Sequence, residues 1–174
     1  GLSGQRVRFY TDTDELTVQY DRMGVVRFKT LPIPVDDGYH LAAAARDPRE
    51  QLRIVYAGDA REEKGFQYIP GLAKDLWASH VEPGKARFVL QAYYNNEPGE
   101  PACRVARAQL EGMPSPQVTL VKRSLGGDAY RDFVCDGDVL LIAYDRDNYY
   151  ARSSGIFTEA AAAGIPTIIP TGTW

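Results

Sequence analysis

The chain has 174 residues, 44% hydrophobic and 25% charged, with a net charge of −3. That length suffices for one ordinary domain with a substantial core. The acidic balance argues against a nucleic-acid partner, which calls for a basic excess. No apolar run reaches the roughly 18 residues of a membrane span, and residues 1–20 lack the apolar centre of a signal peptide. Cys103 and Cys135 stand far apart and outside any metal-ligand spacing, so reduced structural thiols in a cytoplasmic enzyme are expected.

Residues 6–35 read as one small unit. A strand-like run spans Arg6 to Tyr10, and Asp12 and Glu15 have capping-box spacing ahead of a short helix to Arg22, which Gly24 stops. Val25 to Lys29 is a second strand. The prolines of Leu31–Val35 make a stiff extended connector. Residues 36–51, broken by Gly38 and Pro48, read as a linker with at most a helical turn. His40 there is expected to be exposed. His80 ends a helix, where it complements the dipole. Neither serves as a catalytic base.

From Leu52 the chain alternates strand and helix. Strands are expected at 53–57, 87–91, 117–121, 139–143 and 165–169. The helices between them fall at about 66–79, 102–111, 128–135 and 156–163. Right-handed crossovers then demand an α/β fold: a Rossmann-like, doubly wound parallel sheet with helices on both faces. In such sheets ligands bind beyond the carboxyl ends of the strands. The loops 58–66 and 144–155, after the first and fourth of these strands, share that edge.

The second loop leads into the most informative stretch, Tyr144–Pro170. Ser153 and Ser154 offer N-cap hydroxyls, and Gly155 admits a ligand close to the backbone. Ile156 to Ala163 is helical in composition, Gly164 stops it, and Ile165 to Ile169 reads as a buried strand. The helix N-terminus is an anion site, with phosphate the natural occupant. Glu159 lies one turn in, placed for a second part of the same ligand. The first loop adds two cations, Arg61 and Lys64. A sugar nucleotide satisfies all of these. Asp145 and Asp147 have the D-x-D spacing of a metal motif but no third ligand, and read as solvated or as a turn cap. Tyr93, Tyr94, Tyr144, Tyr149 and Tyr150 suit either sugar stacking or anchoring of the loops.

The run RSSGIFTEAAAAGIPTIIP resembles the donor-site signature of retaining GT-B glycosyltransferases of the GT4 (group 1) kind. The match falls on Ser154, Gly155 and Ile156 for the diphosphate turn, on Glu159 for the ribose, and on Gly164, Ile165 and Pro166 for the exit. Tyr149 and Arg152 form a Y-x-x-R-x-S-G variant of it. An acidic residue usual eight positions before Glu159 is replaced by Ala151, or by Arg152 with a one-residue deletion. The first loop resembles the family's V-G-R-x-x-x-E-K-G: Gly58, Glu63, Lys64 and Gly65 match in register. Asp59 stands in the arginine's place, with Arg61 two positions on as the candidate to reach the same phosphates.

The resemblance implies a hexosyltransferase that uses a nucleotide-diphosphate sugar as substrate, with no metal and no other cofactor. Lys64 and Glu159 would carry the catalytic roles. It implies a sugar or lipid-linked acceptor, in the polysaccharide or glycolipid setting common in the family. Residues 1–35 would be the tail of an N-terminal GT-B domain, 36–51 the linker, and 52–174 a C-terminally incomplete donor-binding domain. The remaining GT-B portions would lie outside this chain. The base would be read near Lys122–Leu125.

Each feature also has an ordinary reading: Ser153-Ser154-Gly155 as a plain N-cap, Lys64 as a solvated lysine, Glu159 as a complement to the helix dipole. Their meeting on one sheet edge favours the site. The alternative is a non-catalytic Rossmann-like module that binds nucleotides or a protein partner. A receiver-type domain would need an aspartate where Val121-Lys122 stands. A dinucleotide enzyme would need a G-x-G-x-x-G after the first strand, which is absent.

Overall fold

The computed structural model describes residues 7–43 and 49–173, with the backbone alone at 41–43. The start of the strand expected from Arg6, and Pro48 of the expected linker, lie outside those residues.

The first unit is a small β-α-β. Strand β1 (Phe9–Thr11) pairs in parallel with β2 (Phe28–Thr30), and α1 (Asp14–Arg22) joins them. The cap of α1 differs from expectation. Thr13, whose Oγ1 accepts from Leu16 N at 3.1 Å, is the N-cap, and Asp12 is not. Thr13 has the extended backbone a cap needs, while the Asp12 carboxylate is engaged by Ser153 Oγ, far along the chain.

The segment expected to be a linker contains a true helix, α2 (Asp37–Ala43). It packs on two later helices and buries Tyr39 to 6% exposure. Gly38 did not break it. One glycine costs a helix only about 1 kcal/mol, which burial of an aromatic ring outweighs. His40 is exposed, as expected.

The large sheet contains β3 (Leu52–Tyr56), β4 (Ala86–Gln91), β5 (Val118–Val121), β6 (Val139–Leu141) and β7 (Thr167–Ile168), all parallel, in the order β5-β4-β3-β6-β7. Alternate residues of each strand feed opposite faces. Ile54, Tyr56, Phe88 and Leu90 pack with α3 (Ile69–Asp75) and α4 (Pro101–Glu111). Val55, Val89, Leu140 and Ile142 pack on the other face with α2, α5 (Gly127–Cys135) and α7 (Gly155–Ala162). The expected doubly wound sheet with helices on both faces is present.

Two local expectations fail. The helix toward Ser79 is broken: 3₁₀ turns at Glu62–Lys64 and Phe66–Tyr68 precede α3, and a π turn at Trp77–Val81 follows it. The last strand is not buried. Only Thr167 and Ile168 pair, at the sheet edge, and Ile168 is 56% exposed. An apolar run does not distinguish an edge strand from a central one.

Among the described residues no helix is long and apolar enough to cross a membrane. Neither Cys103 nor Cys135 forms a disulfide among the described residues. Burial, followed by the neighbouring Glu100 carboxylate, pushes the Cys103 thiol up to about 12, which leaves it an inert packing group.

Candidate functional site

The strand order runs outward in opposite directions from β3 and β6. The loops that leave these neighbours therefore stand at the switch point of the sheet, and there they meet. The first loop turns back at Gly65, in the left-handed region at φ 71°. Its backbone sits so close to the end of β6 that a β-carbon there would stand 1.8 Å from the Ala143 carbonyl oxygen. The second loop returns the contact, with Asp145 N donating to Glu63 O at 3.0 Å. Asp145 also caps the short helix α6 (Arg146–Tyr149), accepting from Asp147 N at 2.9 Å.

These contacts gather most of the expected residues. Gly58 has φ 102°, donates its N–H to the buried Gln91 Oε1 at 2.7 Å, and lies beneath both Ile156 and the Lys64 ammonium. Lys64 Nζ reaches Asp59 Oδ1 at 2.5 Å, and Arg61 Nε reaches the other oxygen of Asp59 at 2.9 Å. Arg61 Nη1 contacts Glu63 Oε1 at 2.8 Å, and Arg152 Nη1 approaches Glu63 Oε2 at 3.5 Å. Burial opposes the charge of Arg61, but Asp59 and Glu63 outweigh it and raise its pKa. Three cations and two carboxylates thus form one cluster, and its Lys64 meets Ile156 of α7 above Gly58.

Of the two serines only Ser154 caps α7: its Oγ accepts from Phe157 N at 3.2 Å. Ser153 instead donates to Asp12, because the first unit folds over this loop and Thr13 Oγ1 also donates to Ala151 O at 2.5 Å. Around Gly155 a β-carbon would meet nothing within 4 Å, so the approach to the helix start is open. Tyr149 is an anchor. It is 4% exposed, its ring lies 4.2 Å from that of Tyr144, and the Arg152 guanidinium covers it at 4.8 Å. Tyr94 and Tyr144 are buried as well, and Tyr150 is open.

Glu159 stands apart from the cations. It lies between α2 and α5, beside the phenols of Tyr39 and Tyr130, whose pull on its proton opposes that of burial, and its Oε2 is buried without a hydrogen-bond partner. Burial, and then the Glu159 charge, push both phenols up, so they remain donors at ordinary pH. Sequence reading missed Asp59 and Glu63 as partners of the cations, and Tyr39 and Tyr130 as partners of Glu159. The first pair carried a signal, since five of the six residues 59–64 are charged, two cations among three carboxylates. The tyrosines carried none.

No family model matches the sequence, and no curated protein matches it. Solved structures do match. An α,α-trehalose-phosphate synthase (UDP-forming) from Burkholderia vietnamiensis superposes with a TM-score of 0.64 at 15% identity, over 92% of this chain and 43% of its own. The sucrose-phosphate synthase of Thermosynechococcus elongatus gives 0.62 at 14%, over 92% and 39%. An E. coli trehalose-6-phosphate synthase bound with UDP-2-fluoro glucose gives 0.58 at 16%, over 82% and 36%. The doubly wound parallel sheet is a fold shared with parts of these enzymes, which are GT-B glycosyltransferases. At these identities the likeness speaks for the fold alone, and the chain spans well under half the length of each of these enzymes.

Within this fold, Glu159 has a testable signature of its own. Burial raises its pKa above the ordinary 4.5, against the pull of the two phenol donors. The folded chain then holds the proton more tightly than the unfolded one, so stability falls as pH rises from the ordinary value through the folded one. Glu159→Gln removes that dependence. Its melting temperature is expected to match wild type near pH 4 and to exceed it near pH 7. An offset identical at both pH values would contradict the burial of this carboxylate.

Proposed function

We propose that this chain is the donor-binding half of a retaining, GT4-like glycosyltransferase that takes a nucleotide-diphosphate sugar. The observation that carries the reading is the position of Lys64 over Gly58, where Ile156 of the open first turn of α7 also closes, with Arg61 and Arg152 joined to the same charge cluster through Asp59 and Glu63. Sugar transfer builds negative charge on the departing nucleoside diphosphate. Preorganised cations and backbone N–H groups stabilise that charge without needing to reorient.

In this reading Lys64 is the principal cation for the diphosphate, and Arg61 and Arg152 flank it. Ser154 and Ile156 shape the turn, and Ser153 and Tyr149 hold the loop around it. Glu159 receives the ribose beside the phenols of Tyr39 and Tyr130. The cations and the helix N-terminus carry the leaving-group role, so the reading assigns no step to a metal. A sugar or lipid-linked acceptor would enter from the side of the first β-α-β unit, with further GT-B portions completing the cleft.

Calorimetric titration with UDP, GDP and ADP tests the proposal. One nucleotide is expected to bind, and Lys64→Ala to weaken it by about tenfold or more, as loss of a charged phosphate contact does. A second reading, a non-catalytic interaction module, is favoured by one observation: all three cations are already paired with carboxylates of the chain. Binding of none of the three nucleotides would move that reading ahead.

A further inference from the structure

We propose that Asp59 is a resident counter-ion, which occupies the anion position of the cationic pair Lys64 and Arg61 and must be displaced before a diphosphate can bind. This rests on the reading of that edge as an anion site and adds how the site is regulated.

The geometry is specific. Asp59 divides its two oxygens between two cations, Oδ1 to Lys64 Nζ at 2.5 Å and Oδ2 to Arg61 Nε at 2.9 Å. The pair is withdrawn from water, with the Asp59 side chain 8% and that of Lys64 11% exposed. The lysine lies flat over Gly58, its ammonium 3.2 Å from where a β-carbon of residue 58 would sit, and Ile156 of α7 closes on the same point. The ammonium is therefore held beside the helix start rather than free in solvent. Glu63 is a looser, outer partner, 25% exposed and shared between Arg61 and Arg152.

A desolvated ion pair has a particular logic. Each charge has lost its water and is tolerated only because the other is present, so removing one leaves the other strongly in need of a counter-charge. An anionic ligand entering here competes with Asp59 directly. A single phosphate that takes Lys64 leaves Asp59 beside it as a repelling neighbour. Two adjacent phosphates replace both contacts at once, which selects diphosphates over monophosphates. The carboxylate thus lowers affinity and raises selectivity through the same bond.

Neutralising Asp59 tests the idea. Inorganic pyrophosphate, inorganic phosphate and UDP would be titrated calorimetrically into wild type, Asp59→Asn, and Asp59→Asn with Lys64→Ala. Asp59→Asn is expected to bind pyrophosphate about tenfold tighter or more, to narrow the preference for pyrophosphate over phosphate, and to lose both effects in the double variant. Unchanged or weaker pyrophosphate binding would overturn the proposal, since Asp59 would then serve only to position Lys64.

The wild-type chain supplies a check that needs no variant to fold. Its Asp59 carboxyl carbon resonance should move on titration with pyrophosphate, and an unmoved resonance at saturation overturns displacement. The two readings fail separately. A gain for pyrophosphate without any UDP binding keeps the counter-ion and removes the nucleotide. UDP binding that Asp59→Asn leaves unchanged removes the counter-ion and keeps the nucleotide.

Discussion

Gly65→Ala is expected to lower the stability of the chain by about 4 kcal/mol or more, enough to leave much of it unfolded at physiological temperature. Two effects add. Residue 65 sits at φ 71°, where an L side chain is strained. Its new β-carbon would also stand 1.8 Å from Ala143 O and 2.7 Å from the carbonyl carbon of the same residue. Those are backbone atoms at the end of β6, so no side-chain rotation relieves the clash. Urea unfolding of the variant measures the loss, and a variant within 1 kcal/mol of wild type, about the size of an ordinary surface effect, would mean that the two loops are not in contact at Gly65. Under the proposed function, any residual folded protein should also bind nucleotide poorly, because the displaced turn carries Lys64.

Phe66→Ala is the second large effect, an expected loss of about 3–5 kcal/mol. Phe66 has no exposed surface, and its ring meets that of Tyr56 edge-on, 5.4 Å between centroids. It anchors the short 3₁₀ turn after Gly65 against the α3–α4 side of the sheet. Truncation leaves a cavity in a region with little freedom to collapse, since β3 and β4 flank it. Guanidinium unfolding gives the value. Phe66→Leu, which refills most of the volume, should recover more than half of it, whereas equal losses in the two variants would point to a specific role of the ring.

Both predictions depend on one junction, where the first loop meets the end of β6. Its parts were legible separately. Gly58, Lys64, Gly65 and the stretch from Ser154 to Gly164 announce themselves by residue type, since left-handed turns, N-caps and helix stops demand particular side chains locally. Ser154 and Gly164 do what that local chemistry requires, the first as the cap of α7 and the second with φ 64°. Ser153 does not, because its hydroxyl is claimed by Asp12, a residue 141 positions away.

The same distinction explains α2 and Glu159. Residues 37–43 have helical composition, but Gly38 and the flanking prolines weaken any local prediction. The helix forms because Tyr39 finds a hydrophobic face shared by α5 and α7. That burial then sets the surroundings of Glu159, which local reasoning treats as a free carboxylate one turn into α7. The edge position of β7 is likewise decided by its neighbours, because an apolar run looks the same whether one strand or two lie beside it.

What the sequence determined by itself is the periodic alternation of strand and helix, the parallel sheet that follows from it, and the edge on which its loops gather. Those follow from side-chain periodicity and the handedness of crossovers, both properties of neighbouring residues. Only the tertiary structure decided which charges meet: that Asp59 holds both Lys64 and Arg61, that Glu63 bridges Arg61 and Arg152, and that Glu159 is buried beside Tyr39 and Tyr130. Electrostatic pairing depends on distance in space and on the removal of water, and neither is a function of spacing along the chain.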